Sequence, residues 1–117
     1  MAWIRSHKKG SGGGNIIGIE HGTLVNDVFI ADNNGAEVAY AGWSATDYID
    51  TMGADKLYRT GCFYTADYNA FYDSNKQFIS SFRSATSITS VPSGAKYVRF
   101  SKNTDMWTND DRLFIEL

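Results

Sequence analysis

The chain has 117 residues, which fits one compact domain, and 15% of them are aromatic. The net charge is −2, but the first fourteen residues carry three basic and no acidic side chains, so the rest carries a net charge of −5. This balance excludes a nucleic-acid partner, because binding a phosphate backbone requires a clustered basic face. Cys62 is the only cysteine, which excludes an intramolecular disulfide.

The first predicted element is a basic, Gly-rich anchor over residues 1–14, followed by one domain over residues 15–117. The run Gly10-Ser11-Gly12-Gly13-Gly14 has the composition of a tether. Ahead of it stand Trp3, Ile4 and Arg5, which we expect to hold the chain on a partner subunit. This start lacks the apolar core of a signal peptide. No segment has the apolar length of a membrane span, so we expect no membrane insertion.

The domain begins with alternating apolar residues that predict two strands, over residues 16–19 and 24–31. Asn33-Asn34-Gly35 then predicts a hairpin, because Asn and Gly tolerate the positive φ angles of a type I′ turn. Pairing about this turn places Phe29 opposite Tyr40. The next stretch, residues 44–52, fits either a short strand or a single helical turn.

The second half of the chain reads as further short strands separated by turns. Residues 57–64 predict a strand in which Arg59 shares a face with Leu57, which suggests a strand end at the rim of the fold. Asp73-Ser74-Asn75-Lys76 predicts a second hairpin. The remaining elements are a turn at residues 91–94, a strand at 96–101, a polar loop at 103–111 and a closing strand at 112–117. Short strands at this spacing, without an amphipathic helix, predict an all-β fold, an antiparallel β-sandwich or barrel.

Six segments between residues 43 and 101 together form one pattern: Trp43-Ser44, Asp47-Tyr48-Ile49, Phe71-Tyr72-Asp73, Phe78-Ile79-Ser80, Pro92-Ser93-Gly94-Ala95 and Tyr97-Val98-Arg99-Phe100-Ser101. Through them, the region from Trp43 to Ser101 resembles the galactose-binding-like jelly-roll modules of phage tail and baseplate proteins. The resemblance implies an antiparallel β-sandwich of jelly-roll type, with Tyr72, Asp73 and Arg99 at positions typical of that family. It also implies a virion protein that is made in the host cytoplasm, is multimeric in its assembly and contacts other virion subunits through residues 1–14.

Candidate ligand-binding residues are those able to stack on a sugar or hold its hydroxyl groups. Trp43 and Trp107 lie in polar contexts typical of loops, where binding sites form on rigid sandwiches. Asp47 and Tyr48 are neighbours that can bond hydroxyl groups. The alternative for either Trp is a place in the core or a subunit contact.

Arg59 and Arg99 are the candidate polar anchors, because a guanidinium can bond two hydroxyl groups or a carboxylate as a fork. The alternative for either Arg is a salt bridge to a nearby acid, such as Asp73 or Asp47. We favour this structural alternative over contact with ligand.

Catalysis and metal binding find little support in the sequence. His7 lies in the basic tail and His21 stands beside a glycine, so neither has a nucleophile partner, and two separated histidines with one cysteine make no zinc site. The oxygen-rich loop Asp105–Asp111 offers ligands for Ca²⁺, but it lacks EF-hand spacing and is expected to be a solvated loop. We therefore expect no enzyme activity and no cofactor.

Two functions remain open at this point. The first is weak, multivalent binding of a cell-surface glycan of the host by a phage module. The second is structural decoration, in which the aromatic residues contact only other virion subunits.

Overall fold

The computed structural model describes residues 16–20, 22–60, 68–82, 88–107 and 112–116. The predicted anchor over residues 1–14, with Trp3, Ile4 and Arg5, lies outside the described residues. A short 3-10 helix spans Thr104–Met106. The described strands are β1 (Ile16–Glu20), β2 (Leu24–Ile30), β3 (Glu37–Thr46), β4 (Ile49–Asp50), β5 (Lys56–Thr60), β6 (Asn69–Tyr72), β7 (Phe78–Phe82), β8 (Ile88–Ser90), β9 (Tyr97–Arg99), β10 (Ser101–Asn103) and β11 (Arg112–Glu116).

The strands form three antiparallel sheets, and the all-β prediction is confirmed. The terminal sheet has the order β1-β11-β5-β8, the hairpin sheet β10-β3-β2, and the central sheet β4-β9-β6-β7. The stretch at residues 44–52 contains strand and no helical turn, since β3 continues to Thr46 and β4 follows at Ile49–Asp50. A turn begins after β4, where Met52 has a positive φ of 56°. The strand predicted at residues 57–64 is described over Lys56–Thr60 only.

The central sheet packs through both of its faces, which explains why β6 is buried at every position. On one face, Phe71 and Val98 pack with Leu57 and Leu113 of the terminal sheet. On the other face, Ala70 and Tyr72 pack with Ile30 and Ala45 of the hairpin sheet. Alternate residues of one short strand therefore serve two separate cores.

The chain crosses from the central sheet to the hairpin sheet at Phe100, between β9 and β10. The Phe100 carbonyl accepts a hydrogen bond from the Thr46 backbone N–H at 2.8 Å. The Phe100 N–H in turn donates to Thr46 Oγ1 at 3.1 Å. Because β3 ends at Thr46, both strands leave the hairpin sheet at the same corner.

The first hairpin exists, but its predicted register is wrong by two residues. Phe29 pairs with Val38, not with Tyr40. The connection is six residues long and is closed by hydrogen bonds from Gly35 N–H to the Ala31 carbonyl at 2.8 Å and from Ala31 N–H to the Ala36 carbonyl at 2.9 Å. Of Asn34 and Gly35, only Gly35 has the positive φ, 70°, whereas a type I′ turn requires it at both central positions.

The other two turns follow the prediction. Asp73 Oδ1 accepts hydrogen bonds from the backbone N–H groups of Asn75 at 2.8 Å and Gln77 at 2.9 Å, which fixes the turn between β6 and β7. Ala95 N–H donates to the Pro92 carbonyl at 3.2 Å at the entry to β9. Both turns depend on bonds within a few residues, which is why local sequence predicts them.

Tyr72 connects the central sheet to the first hairpin loop. Its side chain is 2% exposed, and its hydroxyl donates to the Gly35 carbonyl at 2.6 Å. Burial raises the pKa of the Tyr72 phenol from its ordinary value of 10.0 to about 12. Because the folded-state pKa is the higher one, the associated stability is complete below pH 10.0 and is lost as the pH rises towards 12.

We expect Tyr72→Phe to lower the free energy of unfolding by about 1–3 kcal/mol at pH 8, because the buried Gly35 carbonyl loses its donor. The difference from the unmodified protein should narrow above pH 10.0, where the phenol of the unfolded chain ionises. Urea unfolding at several pH values measures both effects. Tyr97→Phe is the control, since that hydroxyl makes no hydrogen bond to a described residue. Equal losses for the two variants would contradict the assignment.

Candidate functional site

A β-bulge in β3 distorts the hairpin sheet. Asn26 pairs with Ser44 and Val28 with Ala39, so the single residue Asp27 lies opposite four residues of β3. Gly42, within the extra length of β3, and Asp27, opposite it in β2, both have left-handed backbone, with φ angles of 90° and 61°. Bulges of this kind redirect side chains and are frequent beside functional sites.

The bulge brings Tyr40 and Trp43 together, although they are three residues apart on one strand. Their ring centroids are 6.2 Å apart at an interplanar angle of 80°. Phe29 lies 5.5 Å from Tyr40 and 6.1 Å from Trp43. Tyr68, just before β6, lies 5.1 Å from Phe29 and 5.3 Å from Trp43. These four residues, Phe29, Tyr40, Trp43 and Tyr68, form what we call the aromatic cluster.

The aromatic cluster is presented on an exposed ribbon. All side chains from Glu37 to Gly42 are exposed, although successive residues of a strand point to opposite faces. Tyr40 is 53% exposed and Val38 is 37% exposed. Phe29, Trp43 and Tyr68 are half-buried beneath Tyr40. The exposed Tyr40 ring is therefore held by edge-on contacts with two half-buried rings, Phe29 and Trp43, which in turn contact Tyr68.

Polar groups border the cluster. Asn103 pairs with Trp43 across β10 and β3, so the two side chains project from the same face. On the opposite face, the hydroxyl of Ser44 donates to Asn26 Oδ1 at 3.1 Å and lies 2.6 Å from the hydroxyl of Thr104. The amide of Asn103 is therefore the polar side chain that the register places beside the rings.

Trp43 was predicted as a stacking residue, and the structure places it in the aromatic cluster. Trp107, the second predicted Trp, lies elsewhere: its indole N–H donates to the Ser44 carbonyl at 3.2 Å. Its half-buried ring packs against the core cluster that includes Phe71 and Leu113. The ammonium of Lys102 lies 4.5 Å from the Trp107 ring centroid. The two tryptophans thus do not form one site.

Asp47 and Tyr48 lie at the turn between β3 and β4. Asp47 is exposed, and its Oδ1 accepts a hydrogen bond from the Tyr48 N–H at 2.8 Å. The half-buried Tyr48 ring packs edge-on against Tyr72 at 5.0 Å and Tyr97 at 5.8 Å. Lys76 Nζ lies 4.8 Å from the Tyr48 ring centroid. These contacts build Tyr48 into a second group of rings, separate from the aromatic cluster.

Arg99 is in the interior, 2% exposed, and not at the rim. Its Nε donates to the Thr46 carbonyl at 2.8 Å, and its guanidinium bonds the Glu37 carboxylate at 2.7 Å. The guanidinium carbon lies 4.7 Å from the centroid of the Tyr48 ring. The salt bridge expected for Arg99 is present, but the predicted partners, Asp73 and Asp47, were wrong.

The remaining predicted residues are only partly described. The backbone of Arg59 lies in β5 opposite Leu113, and its side chain lies outside the described residues. The predicted oxygen-rich loop is described only as far as Trp107. Phe29, Tyr40 and Tyr68 were not proposed as site residues. Two features of the sequence pointed to them. Gly42 interrupts a strand rich in aromatic residues, and the predicted hairpin brought Phe29 close to Tyr40. The wrong register placed these two residues directly opposite each other, whereas they lie diagonally across the two strands.

Other kinds of site were sought in the part of the chain that the structure describes. There, no group of three or more His, Cys, Asp or Glu side chains is placed to hold a metal ion. Within the same ranges, no helix has the length and apolar character needed to cross a bilayer. Comparisons with protein-family models, with curated proteins and with solved structures found no match for this chain.

We expect Gly42→Ala to destabilise the protein by about 1–3 kcal/mol, since a side chain is strained in this left-handed backbone. A Cβ at Gly42 would meet no atom within 4 Å, so the cost comes from the backbone and not from a clash. Urea unfolding measures the loss, and near-ultraviolet circular dichroism should report altered packing of Trp43. Ala41→Ser is the matched control, expected within about 0.5 kcal/mol. An unchanged aromatic spectrum would argue against the bulge as the positioning element.

We expect Arg99→Lys to cost more stability than Glu37→Gln. The Glu37 carboxylate is 43% exposed, so its loss is screened and should cost about 1 kcal/mol. A lysine at position 99 cannot bond Thr46 and Glu37 as a planar fork, and about 2–3 kcal/mol should be lost. Chemical unfolding of both single variants and the double variant tests the order. A larger cost for Glu37→Gln would contradict it.

Proposed function

We propose that this protein is a non-catalytic module of a phage particle, associated with the tail or baseplate, that binds host cell-surface carbohydrate weakly and multivalently. The observation that carries the proposal is the exposed aromatic cluster on the β2–β3 ribbon. The phage setting, the jelly-roll form of the fold and the anchoring role of Trp3, Ile4 and Arg5 rest on the sequence features given above.

The cluster has the chemistry that a sugar requires. The face of an aromatic ring carries partial negative charge, which favours contact with the polarised C–H groups of a pyranose. Tyr40 is more than half exposed at 53%, and its ring is held by edge-on contacts with Phe29 and Trp43. Contacts that already order the ring reduce the entropy lost when a ligand stacks on it.

Hydrogen-bonding groups beside the rings would fix the orientation of a bound sugar. Asn103 lies on the same face as Trp43, and its amide offers both donors and an acceptor. The Tyr40 hydroxyl adds a group of the same kind. Sites with an aromatic base and a few placed polar groups are typical of small-ligand recognition.

Binding at one copy is expected to be weak. The surface on offer is small, and association must first offset the loss of translational and rotational freedom. Many copies on one particle change this balance, since linked sites raise avidity by about 10²–10⁴ over a single site. An anchored, repeated subunit suits that mode of binding.

A second candidate is the structural decoration protein, and the β3 edge favours it. β3 pairs with β10 only from Trp43 to Ala45. Among the described strands, none pairs with residues 37–41 of β3 on that side. A neighbouring subunit can add a strand to such an edge, with Val38 and Tyr40 as side-chain contacts.

A glycan array of the whole protein displayed on multivalent particles tests the proposal. We expect binding to at least one glycan class, reduced about tenfold or more by Tyr40→Ala because stacking energy of about 1.4 kcal/mol is lost. Tyr40→Phe should retain most binding.

Met52→Ala is the matched control, because Met52 is a comparably exposed apolar residue, at 45%, outside the cluster. A blank array favours the structural candidate. If glycan binding survives both Tyr40→Ala and Trp43→Ala, with the fold intact, the binding site lies outside the aromatic cluster.

A further inference from the structure

The rings of the aromatic cluster meet at steep angles. Tyr40 and Trp43 are inclined at 80°, Phe29 and Tyr40 at 76°, and Trp43 and Tyr68 at 81°. The smallest angle is 52°, between Phe29 and Tyr68. Within this cluster, therefore, no described pair of rings shares a plane.

Ring orientation decides which part of a glycan can stack. A linear chain with a flat ribbon shape needs rings that lie side by side in one plane, so that successive sugar units rest on successive rings. Tyr40 and Trp43 instead form a corner, with centroids 6.2 Å apart. A sugar that stacks on one ring meets the other ring at its edge, so the chain cannot continue in that direction.

The corner is a product of the β-bulge. In a regular strand the residue sharing a face with Tyr40 would be Gly42, which has no ring. The left-handed backbone of Asp27 and Gly42, together with the extra length of β3, moves Trp43 to the Tyr40 face. Gly42 N–H also lies 3.4 Å from Asp27 Oδ1, a contact across the two strands of the bulge.

We infer that the aromatic cluster accepts one terminal sugar unit of a glycan, entering end-on, and not an internal stretch of a linear chain. This inference deepens the proposed function and rests on it. Asn103, beside Trp43, then reads the hydroxyl pattern of that terminal unit. We expect the affinity to depend on which sugar is at the end of the glycan and not on the length of the glycan chain.

The test compares the methyl glycosides of glucose, galactose and N-acetylglucosamine with their β-1,4-linked chains of two to six units. Dissociation constants of the whole protein are measured by NMR titration. For the sugar that binds, we expect the values to agree within about threefold from one unit to six. Exchanging only the terminal unit should abolish binding. Tyr40→Ala should weaken every member of the series equally, and Met52→Ala should weaken none.

The possible results distinguish the inference of end-on binding from the proposal of carbohydrate binding. Affinity that rises tenfold or more with chain length, while still depending on Tyr40, would overturn the end-on inference and leave carbohydrate binding in place. Equal binding to a chain blocked at its terminal unit would overturn it as well. Absence of binding to the whole series and to the array would refute the proposed function and the inference with it.

Discussion

The buried guanidinium of Arg99 connects the two sheets on which the candidate site depends. Arg99 belongs to β9 of the central sheet, and its partners Thr46 and Glu37 lie at the two ends of β3 in the hairpin sheet. The ion pair adds little net stability, because burying the guanidinium carries a desolvation cost and the Glu37 carboxylate, 43% exposed, is screened by solvent. Its effect is on orientation. The planar guanidinium can bond both partners only when β3 lies in one arrangement against the central sheet.

β3 has two parts that differ in their exposure to solvent. It is buried from Ser44 to Thr46 and pairs with β10 from Trp43 to Ala45, whereas from Glu37 to Gly42 it is exposed on both faces. The bulge opposite Asp27 separates the two parts. A ring cluster at this boundary can be exposed while its base remains held by the body of the domain, which is the condition for a rigid binding surface.

Sequence reasoning succeeded where structure is determined locally. The turn at Asp73 is stabilised by its own side chain and was therefore predictable. The strand predicted at residues 96–101 is instead divided at Phe100 into β9 and β10, which belong to different sheets. Sequence reasoning failed where the structure depends on contacts between residues that are far apart in the sequence. The first hairpin takes its register from a loop in contact with Tyr72, which is 37 positions from Gly35. Glu37 is 62 positions from Arg99, and Tyr68 joins the cluster from the segment just before β6 of the central sheet.

The exposure of the ribbon on both faces bears on how this domain can change over evolution. Gly35 tolerates no side chain, since a Cβ there would lie 2.7 Å from Phe78 and 2.9 Å from Tyr72. Val38 and Tyr40, by contrast, are 37% and 53% exposed and belong to neither core. New side chains at these two positions would alter the chemistry of the exposed surface with little penalty to folding. A lineage can therefore diversify at this surface while its scaffold stays constant.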